Sequence, residues 1–211
     1  MKRPLVKRAS IRLLLCAVLA ATSVWAVAAD PPDAAAEDRE INPRYLLVDG
    51  KGRMVSNEDF PGRFQLITFG YTFCPDVCPS TLAAMAQILR RLGPQAKRLK
   101  AIFVSVDPER DSAAALDLYT GYFDPRILGL SGSPALVRSA AEHFRVNYQK
   151  FAEPGAAPGN YSIDHSAGMF LLGPDGSFAA RFAYSTPPTE IAGRIAAIMA
   201  ASRAVPPPGR R

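Results

Sequence analysis

Residues 64–80 read FQLITFGYTFCPDVCPS, and this stretch decides the fold class. Its first part, Phe64–Phe69, is a short apolar run that predicts a central β-strand. The residues that follow the stretch, Thr81–Leu92, carry leucine, methionine and isoleucine at helical spacing, which predicts an α-helix. A second strand is predicted at Lys100–Val106. The order strand, helix, strand calls for a parallel pair joined by a right-handed crossover.

The remaining predicted elements continue this alternation. They are a hairpin at residues 45–52, helices at Ala113–Tyr119 and Pro134–Phe144, a loop at Gly155–Gly159, a hairpin at Met169–Phe182 and a closing helix at Pro188–Met199. Together they predict an α/β domain with a thioredoxin-like fold, in which helices flank a mixed central sheet with an inserted β-hairpin. Because one fold serves many functions, the function must be argued from the site.

The net charge comes from the N-terminus. The chain has 25 Lys and Arg against 19 Asp and Glu, for a net charge of +6. Five of the basic residues lie in the first twelve positions and no acidic residue precedes Asp30, so residues 30–211 balance at +1. This distribution argues against a nucleic-acid partner. The sequence contains no glycine-rich nucleotide-binding loop and no C-x-x-C-H haem motif.

A basic start followed by the uncharged stretch Leu13–Ala29 is typical of export. A cleaved signal peptide is the favoured prediction, with an uncleaved N-terminal membrane anchor as the alternative. Either places the domain in the periplasm, free or anchored to the inner membrane. The predicted organisation is an export segment at 1–29, a linker at 30–40, the thioredoxin-like domain at 41–203 and a disordered tail at 204–211.

Beyond the export segment the only cysteines are Cys74 and Cys78. They lie between a predicted strand and a predicted helix, with Pro79 suited to the first helical position. Dithiol oxidoreductases usually carry C-x-x-C, whereas the C-x-x-x-C spacing here places both sulfurs on one helical face. Such a pair can bind one metal ion or form a disulfide, although a structural disulfide stabilises so short a loop little. The helix N-terminus is expected to lower the pKa of a nearby thiol.

Two thiolates need a further ligand, and the chain has two histidines. His143 lies near the end of a predicted helix and is interpreted as a surface residue. His165 lies in a predicted polar loop, residues 160–166, where a thioredoxin-like chain returns over its active-site helix. We therefore predict Cys74, Cys78 and His165 as metal ligands. This donor set suits Cu(I), whereas zinc usually seeks a fourth ligand.

Other residues near the predicted ligands have two interpretations. The side chains of Asp164, Tyr161 and Ser166 either orient the imidazole or make ordinary loop hydrogen bonds.

Three motifs, in order, resemble the SCO/SenC family of copper-binding assembly factors for cytochrome c oxidase. They are GYTFCPDVCP at residues 70–79, SVDPERD at 105–111 and DHS at 164–166, and the resemblance extends over roughly residues 44–200. It implies a thioredoxin-like fold with copper, as Cu(I) or Cu(II), bound by Cys74, Cys78 and His165.

The same resemblance draws attention to three carboxylates. It implies that Asp76 tunes thiol reactivity or Cu(II) binding, with helix capping as the alternative. Asp107 and Asp111 match the second motif without an assigned chemistry. Capping of the helix that begins at Ala113 is enough to explain Asp111.

Three functions remain open at this point. The first is a copper metallochaperone that assists assembly of the dinuclear copper centre of the oxidase. The second is a periplasmic thiol-disulfide reductase that keeps the copper-ligand cysteines of the oxidase subunit reduced, so enzymatic activity stays uncertain. The third, a peroxide-reducing enzyme with Thr72 near its cysteine, is disfavoured by the paired spacing. The expected partners are the copper-carrying oxidase subunit and another periplasmic copper chaperone or thiol-disulfide oxidoreductase.

Overall fold

The computed structural model describes residues 41–157 and 159–204. The predicted export segment, the linker at 30–40 and residues 205–211 of the predicted tail lie outside the described residues. Within the described ranges, no helix combines the length and the apolar character needed to cross a membrane.

Nine strands and four α-helices make up the described part of the chain. The strands are β1 (Leu46–Asp49), β2 (Met54–Ser56), β3 (Phe64–Gly70), β4 (Leu99–Ser105), β5 (Ile127–Ser131), β6 (Tyr148–Phe151), β7 (Ser162–His165), β8 (Gly168–Leu172) and β9 (Phe178–Ala183). The helices are α1 (Val77–Arg91), α2 (Ala113–Phe123), α3 (Pro134–His143) and α4 (Pro188–Ala204). Short 3₁₀ helices lie at Asn57–Asp59 and Gly93–Arg98.

Seven of these strands form one mixed sheet in the order β2-β1-β5-β4-β3-β8-β9. The three central strands β3, β4 and β5 are parallel, and the outer neighbours β1 and β8 run antiparallel to them. The mixed sheet and the thioredoxin-like architecture predicted from the sequence are therefore confirmed. Strands β6 and β7 pair only with each other and form a separate antiparallel hairpin.

The central strand β3 is buried along its whole length, as its mainly apolar sequence predicts for a strand covered on both faces. It lies between β4 and β8. The last residue of β3, Gly70, pairs with the last residue of β4, Ser105. Because the carboxyl ends of parallel strands meet at one edge, the segments that follow these two strands come together there.

Three strands of the structure, β5, β6 and β7, were not predicted from the sequence. No strand was predicted at β5, because ILGLS is short, carries a central glycine and is buried without alternation, so no period marks it as a strand. The prediction of a loop throughout residues 160–166 was wrong, because Ser162–His165 form β7. The polar composition of that segment concealed a strand whose pairing is supplied by β6.

The first helix begins earlier than predicted. Helix α1 starts at Val77 rather than Thr81, and Pro79 is its third residue rather than its first. Proline is tolerated there because the first four N–H groups of a helix have no partner within the helix.

Candidate metal centre

The two cysteines lie where β3 passes into α1. Cys78 is the second residue of α1 and is only 1% exposed, whereas Cys74 lies in the preceding turn and is half-buried. Both are free thiols. The backbone N–H of Cys78 donates to the Sγ atom of Cys74 over 3.4 Å, so a donor of the helix N-terminus faces that sulfur. The structure thus places both sulfurs at the start of α1, as the strand–helix order predicted, but Cys74 precedes the helix, so the prediction of both sulfurs on one helical face was wrong.

The space for the Cys78 thiol depends on a glycine. A Cβ atom at Gly70 would lie 2.7 Å from Cys78 Sγ and 2.9 Å from the Phe103 ring, and both distances are shorter than van der Waals contact. Glycine at the end of β3 therefore allows the thiol to pack against the strand. Gly70 was not predicted as a site residue, although a glycine directly between a buried strand and a turn that carries cysteine is a signal of close approach.

His165 is the last residue of β7, opposite Tyr148 of β6. Its Nε2 atom lies 3.6 Å from Cys78 Sγ, and its Nδ1 atom lies 3.1 Å from the carbonyl oxygen of Ser166. A carbonyl oxygen only accepts hydrogen bonds, so the tautomer that satisfies this contact carries its proton on Nδ1 and presents the Nε2 lone pair to the sulfurs. The ring also packs edge-on against Tyr71, with 6.1 Å between the centroids.

The structure brings the three predicted ligand residues together. The Sγ atoms of Cys74 and Cys78 and a ring nitrogen of His165 all lie within 4.8 Å of one another. No fourth cysteine, histidine or carboxylate joins this group among the described residues. Two thiolates and one imidazole form a soft donor set of low coordination number, which fits Cu(I) better than Zn²⁺.

The electrostatic environment of Cys78 differs from the prediction. Burial raises the pKa of the Cys78 thiol well above its ordinary value, and the charges of Cys74 and Asp111 add to the rise. The expectation that the helix N-terminus lowers the thiol pKa is therefore wrong for Cys78, because desolvation outweighs the helix. A bound cation reverses this balance, since coordination requires the thiolate and compensates its charge.

Asp111 does not cap α2, contrary to the sequence interpretation. The cap is Ser112, whose hydroxyl accepts from the backbone N–H of Ala115. The Asp111 carboxylate is fully buried and accepts from the backbone N–H and the hydroxyl of Thr72 and from the hydroxyl of Ser105. It therefore joins the end of β4 to the turn that carries Cys74.

Asp107, the other carboxylate of the second motif, is also fully buried. Its Oδ2 atom accepts from Nε of Arg110, and its Oδ1 atom accepts from the Tyr161 hydroxyl over 2.7 Å. Tyr161 is thus turned towards Asp107 rather than towards the imidazole. The proposed role of the Tyr161 side chain in orienting His165 directly is not what the structure shows.

The other candidate side chains have different outcomes. Asp76 occupies the N-cap position of α1, but its side chain makes no capping hydrogen bond. His143 ends α3, as expected for a residue near a helix C-terminus. Asp164 is exposed, and Ser166 contacts the imidazole through its backbone carbonyl while its hydroxyl pairs with the backbone of Asn147.

Two residues that were not predicted from the sequence contact the elements around the site. The Tyr71 hydroxyl accepts from the backbone N–H of Ile163 over 3.2 Å, which links the cysteine turn to β7. Arg110 contacts the rings of Tyr71, Phe73 and Tyr161. Both lie within the motifs GYTFCPDVCP and SVDPERD, but their roles depend on partners far away in sequence.

Known proteins are similar to this chain in sequence and in fold. A family model described as SCO1/SenC matches residues 33–200. The mitochondrial SCO2 homologue of Mus musculus is 38% identical over 165 residues, which are 77% of this chain and 64% of that protein. The chain therefore spans less than two thirds of the length of that relative.

Two solved structures superpose on the fold. Copper-bound ScoI of Bradyrhizobium japonicum is 38% identical to this chain with a TM-score of 0.68. The match covers 75% of this chain and 99% of the ScoI chain. Copper-bound ScoI of Arabidopsis thaliana is 28% identical to this chain with a TM-score of 0.71. The match covers 76% of this chain and 99% of the ScoI chain.

Proposed function

Because the chain belongs to the SCO1/SenC family, we propose that it is a copper metallochaperone. Copper is its cargo, held by the Sγ atoms of Cys74 and Cys78 and by Nε2 of His165. The observation that carries the proposal is the convergence of these three ligand atoms within 4.8 Å. The copper-bound state of two similar proteins supports the choice of metal.

Unequal exposure of the ligands suits transfer of the ion. Cys78 is buried, whereas Cys74 and His165 are half-buried. An incoming thiolate or imidazole of an acceptor can approach from the side of the exposed ligands while Cys78 retains the ion. Exchange of one ligand at a time keeps the copper coordinated throughout, which avoids release of the free ion.

The cellular setting is part of the same proposal. The domain is exported to the periplasm, where residues 1–29 are removed or remain as an inner-membrane anchor. The acceptor is the copper-carrying subunit of cytochrome c oxidase, and the donor is another periplasmic copper chaperone. The basic and then uncharged N-terminus and the family resemblance support this setting. Fractionation with N-terminal sequencing tests it, and a mature protein beginning at Asp30 is the expected result.

Copper binding is tested by competition titration of the reduced protein with a Cu(I) chelator. We expect one Cu(I) per chain and a weakening of about tenfold or more for His165→Ala, since one of three ligands is lost. The matched control is His143→Ala, which removes the other histidine and leaves the affinity unchanged. Equal affinity of the wild type and His165→Ala contradicts the role of His165.

A second function, reduction of acceptor disulfides, is favoured by the free thiol pair and the half-exposed position of Cys74. In that reaction one thiolate attacks the acceptor disulfide to form a mixed disulfide. The second thiolate then resolves it, so that two electrons pass to the acceptor while Cys74 and Cys78 become a disulfide. Copper-free protein mixed with the oxidised acceptor domain separates the two functions. A reductase remains active as His165→Ala, whereas copper transfer from loaded protein requires the histidine.

A further inference from the structure

The imidazole and the thiols belong to elements that share no strand pairing. β6 and β7 pair only with each other, and the cysteines follow a strand of the main sheet. The hairpin is largely exposed, with Ile163 as the buried residue of β7. The position of His165 relative to the sulfurs therefore depends on contacts between the hairpin and the segments that follow β3 and β4.

Arg110 contacts both sides of this junction. On the hairpin side its Nη1 atom donates to the carbonyl oxygen of Tyr161 over 2.9 Å and to that of Gly159 over 3.3 Å. Its guanidinium carbon lies 3.7 Å from the centroid of the Tyr161 ring. On the cysteine side the same carbon lies 4.8 Å from the ring centroid of Phe73, the residue next to Cys74. The guanidinium thus lies between the two elements that supply ligands.

A buried carboxylate holds Arg110 in this place. The Arg110 side chain is 16% exposed and its partner Asp107 is 0% exposed, so most of the pair is removed from water. Asp107 also accepts from the Tyr161 hydroxyl. Movement of the guanidinium into solvent leaves a buried carboxylate without its cation, which is unfavourable. The exposed pair Lys150–Glu109, in contrast, loses little when it separates.

We infer that Arg110 is a positioning residue for the metal centre, which holds the β6–β7 hairpin against the cysteine turn so that His165 stays beside Cys78. The inference rests on the proposed copper site, and Arg110 acts through His165 without contacting the ion. A planar guanidinium that stacks on rings and donates to two carbonyls has no equivalent in lysine. The role therefore depends on the shape of the side chain as well as on its charge.

The consequence for copper is a population effect. Without Arg110 the hairpin moves away from the thiols for part of the time, and the apparent affinity falls with the fraction of time in which His165 is in place. If that fraction falls to one tenth, Cu(I) binding weakens by up to about tenfold. The two thiols still bind copper in both arrangements, so binding is not abolished.

The test is a double-mutant cycle on the reduced full-length protein, with Cu(I) affinity measured against a chelator. Its members are the wild type, Arg110→Met, His165→Ala and the double variant. We expect Arg110→Met to weaken Cu(I) binding by about tenfold when His165 is present and by less than about twofold in the His165→Ala background. Copper X-ray absorption of Arg110→Met should show a reduced nitrogen contribution. An equal loss in both backgrounds, or no loss in either, overturns the inference.

A second readout needs no copper. In the metal-free protein, hydrogen exchange of the backbone amides of Ile163 and His165 should accelerate in Arg110→Met, while those of β3 stay unchanged. Uniform acceleration across the fold would mean that Arg110 has only a general structural role. Failure of the wild type to bind copper would overturn the proposed function, whereas hydrogen exchange would still decide the role of Arg110 in holding the hairpin.

Matched variants complete the design. Arg126→Met removes another ion pair with a largely buried carboxylate, Asp124, but it lies just before β5, at the opposite end of the parallel strands from the site. It should bind copper with wild-type affinity. Arg110→Lys should behave like Arg110→Met. Tyr161→Phe, which keeps the ring and removes only the hydroxyl, should weaken binding by about twofold and serves if Arg110→Met fails to fold.

Discussion

The cysteine turn (residues 71–78) continues directly from a buried strand, whereas the histidine hairpin (β6 and β7, residues 148–151 and 162–165) forms a separate two-stranded sheet. The turn is tied to the core by Asp111 and by the packing of the Cys78 thiol against Gly70. The hairpin is connected to the turn through Tyr71 and Arg110. An isolated two-stranded hairpin is at best marginally stable. Two of the proposed ligands are therefore preorganised by the core, and the third is held by a few side-chain contacts.

This difference suits the proposed binding and release of copper. Rigid thiols keep the site formed in the absence of metal, because their positions follow from the strand and the helix. A histidine on a surface hairpin can withdraw at a smaller energetic cost than a core residue. The predictions below test this contrast between the cysteine turn and the histidine hairpin.

The largest effect is expected from Asp111→Ala, which removes the carboxylate that connects the cysteine turn to β4. The backbone N–H of Thr72 and two hydroxyl groups lose their acceptor, and we expect the free energy of unfolding to fall by about 3 kcal/mol. Urea denaturation measures the change. Asp164→Ala, at an exposed carboxylate of the hairpin, is the control and should change stability by less than about 0.5 kcal/mol. Similar losses of unfolding free energy in the two variants would contradict the proposed difference between the cysteine turn and the histidine hairpin.

The next effect concerns the two thiols themselves. Cys78 is buried with a raised pKa, whereas Cys74 is half-buried, so the reduced metal-free protein should be alkylated faster at Cys74. A ratio of about tenfold or more is expected at neutral pH, because Cys78 requires local opening as well as deprotonation. The alkylation rates of the two single variants with iodoacetamide measure this ratio, because Cys78→Ala retains only the Cys74 thiol and Cys74→Ala retains only the Cys78 thiol. Equal rates would show that the cysteine turn is not rigid.

A smaller effect is expected from Tyr71→Phe, which removes the acceptor of the Ile163 N–H group. That N–H then lies buried without a partner, at a cost of about 1 kcal/mol. The loss should appear mainly as faster hydrogen exchange in β7, since the hydrogen bond connects the hairpin to the turn. Tyr122→Phe, at a tyrosine that is 87% exposed, is the control and should leave exchange unchanged. Faster exchange in β3 as well would argue that the two regions open together.

The smallest effect distinguishes two helix starts. Ser112 caps α2 through its side chain, so Ser112→Ala should reduce the free energy of unfolding by about 1 kcal/mol. Asp76 precedes α1 without a side-chain capping bond, and Asp76→Ala should change it by less than about 0.5 kcal/mol. Thermal denaturation of the two variants compares them. A larger loss for Asp76→Ala would restore the capping role that the structure does not support.

The sequence predicted most of the elements that determine the fold. The apolar run of β3, the amphipathic pattern of α1 and the hairpin of β8 and β9 are local signals, because periodicity is a property of neighbouring residues. The missed elements carry weak local signals. β5 is short and contains a glycine, whereas the four-residue β6 and the polar β7 become strands only by pairing with each other. Pairing across the chain overrides local composition in all three.

The sequence alone determined that Cys74 and Cys78 lie where a buried strand passes into a helix, since the strand and the helix around them are local signals. It also marked His165, through the order of the three motifs. Only the tertiary structure decided how these groups behave. The contact between Cys78 and His165 joins residues 87 positions apart, and the burial that raises the thiol pKa comes from the packing of the whole domain. Desolvation and long-range contacts are collective properties of the fold, so no short stretch of sequence contains them.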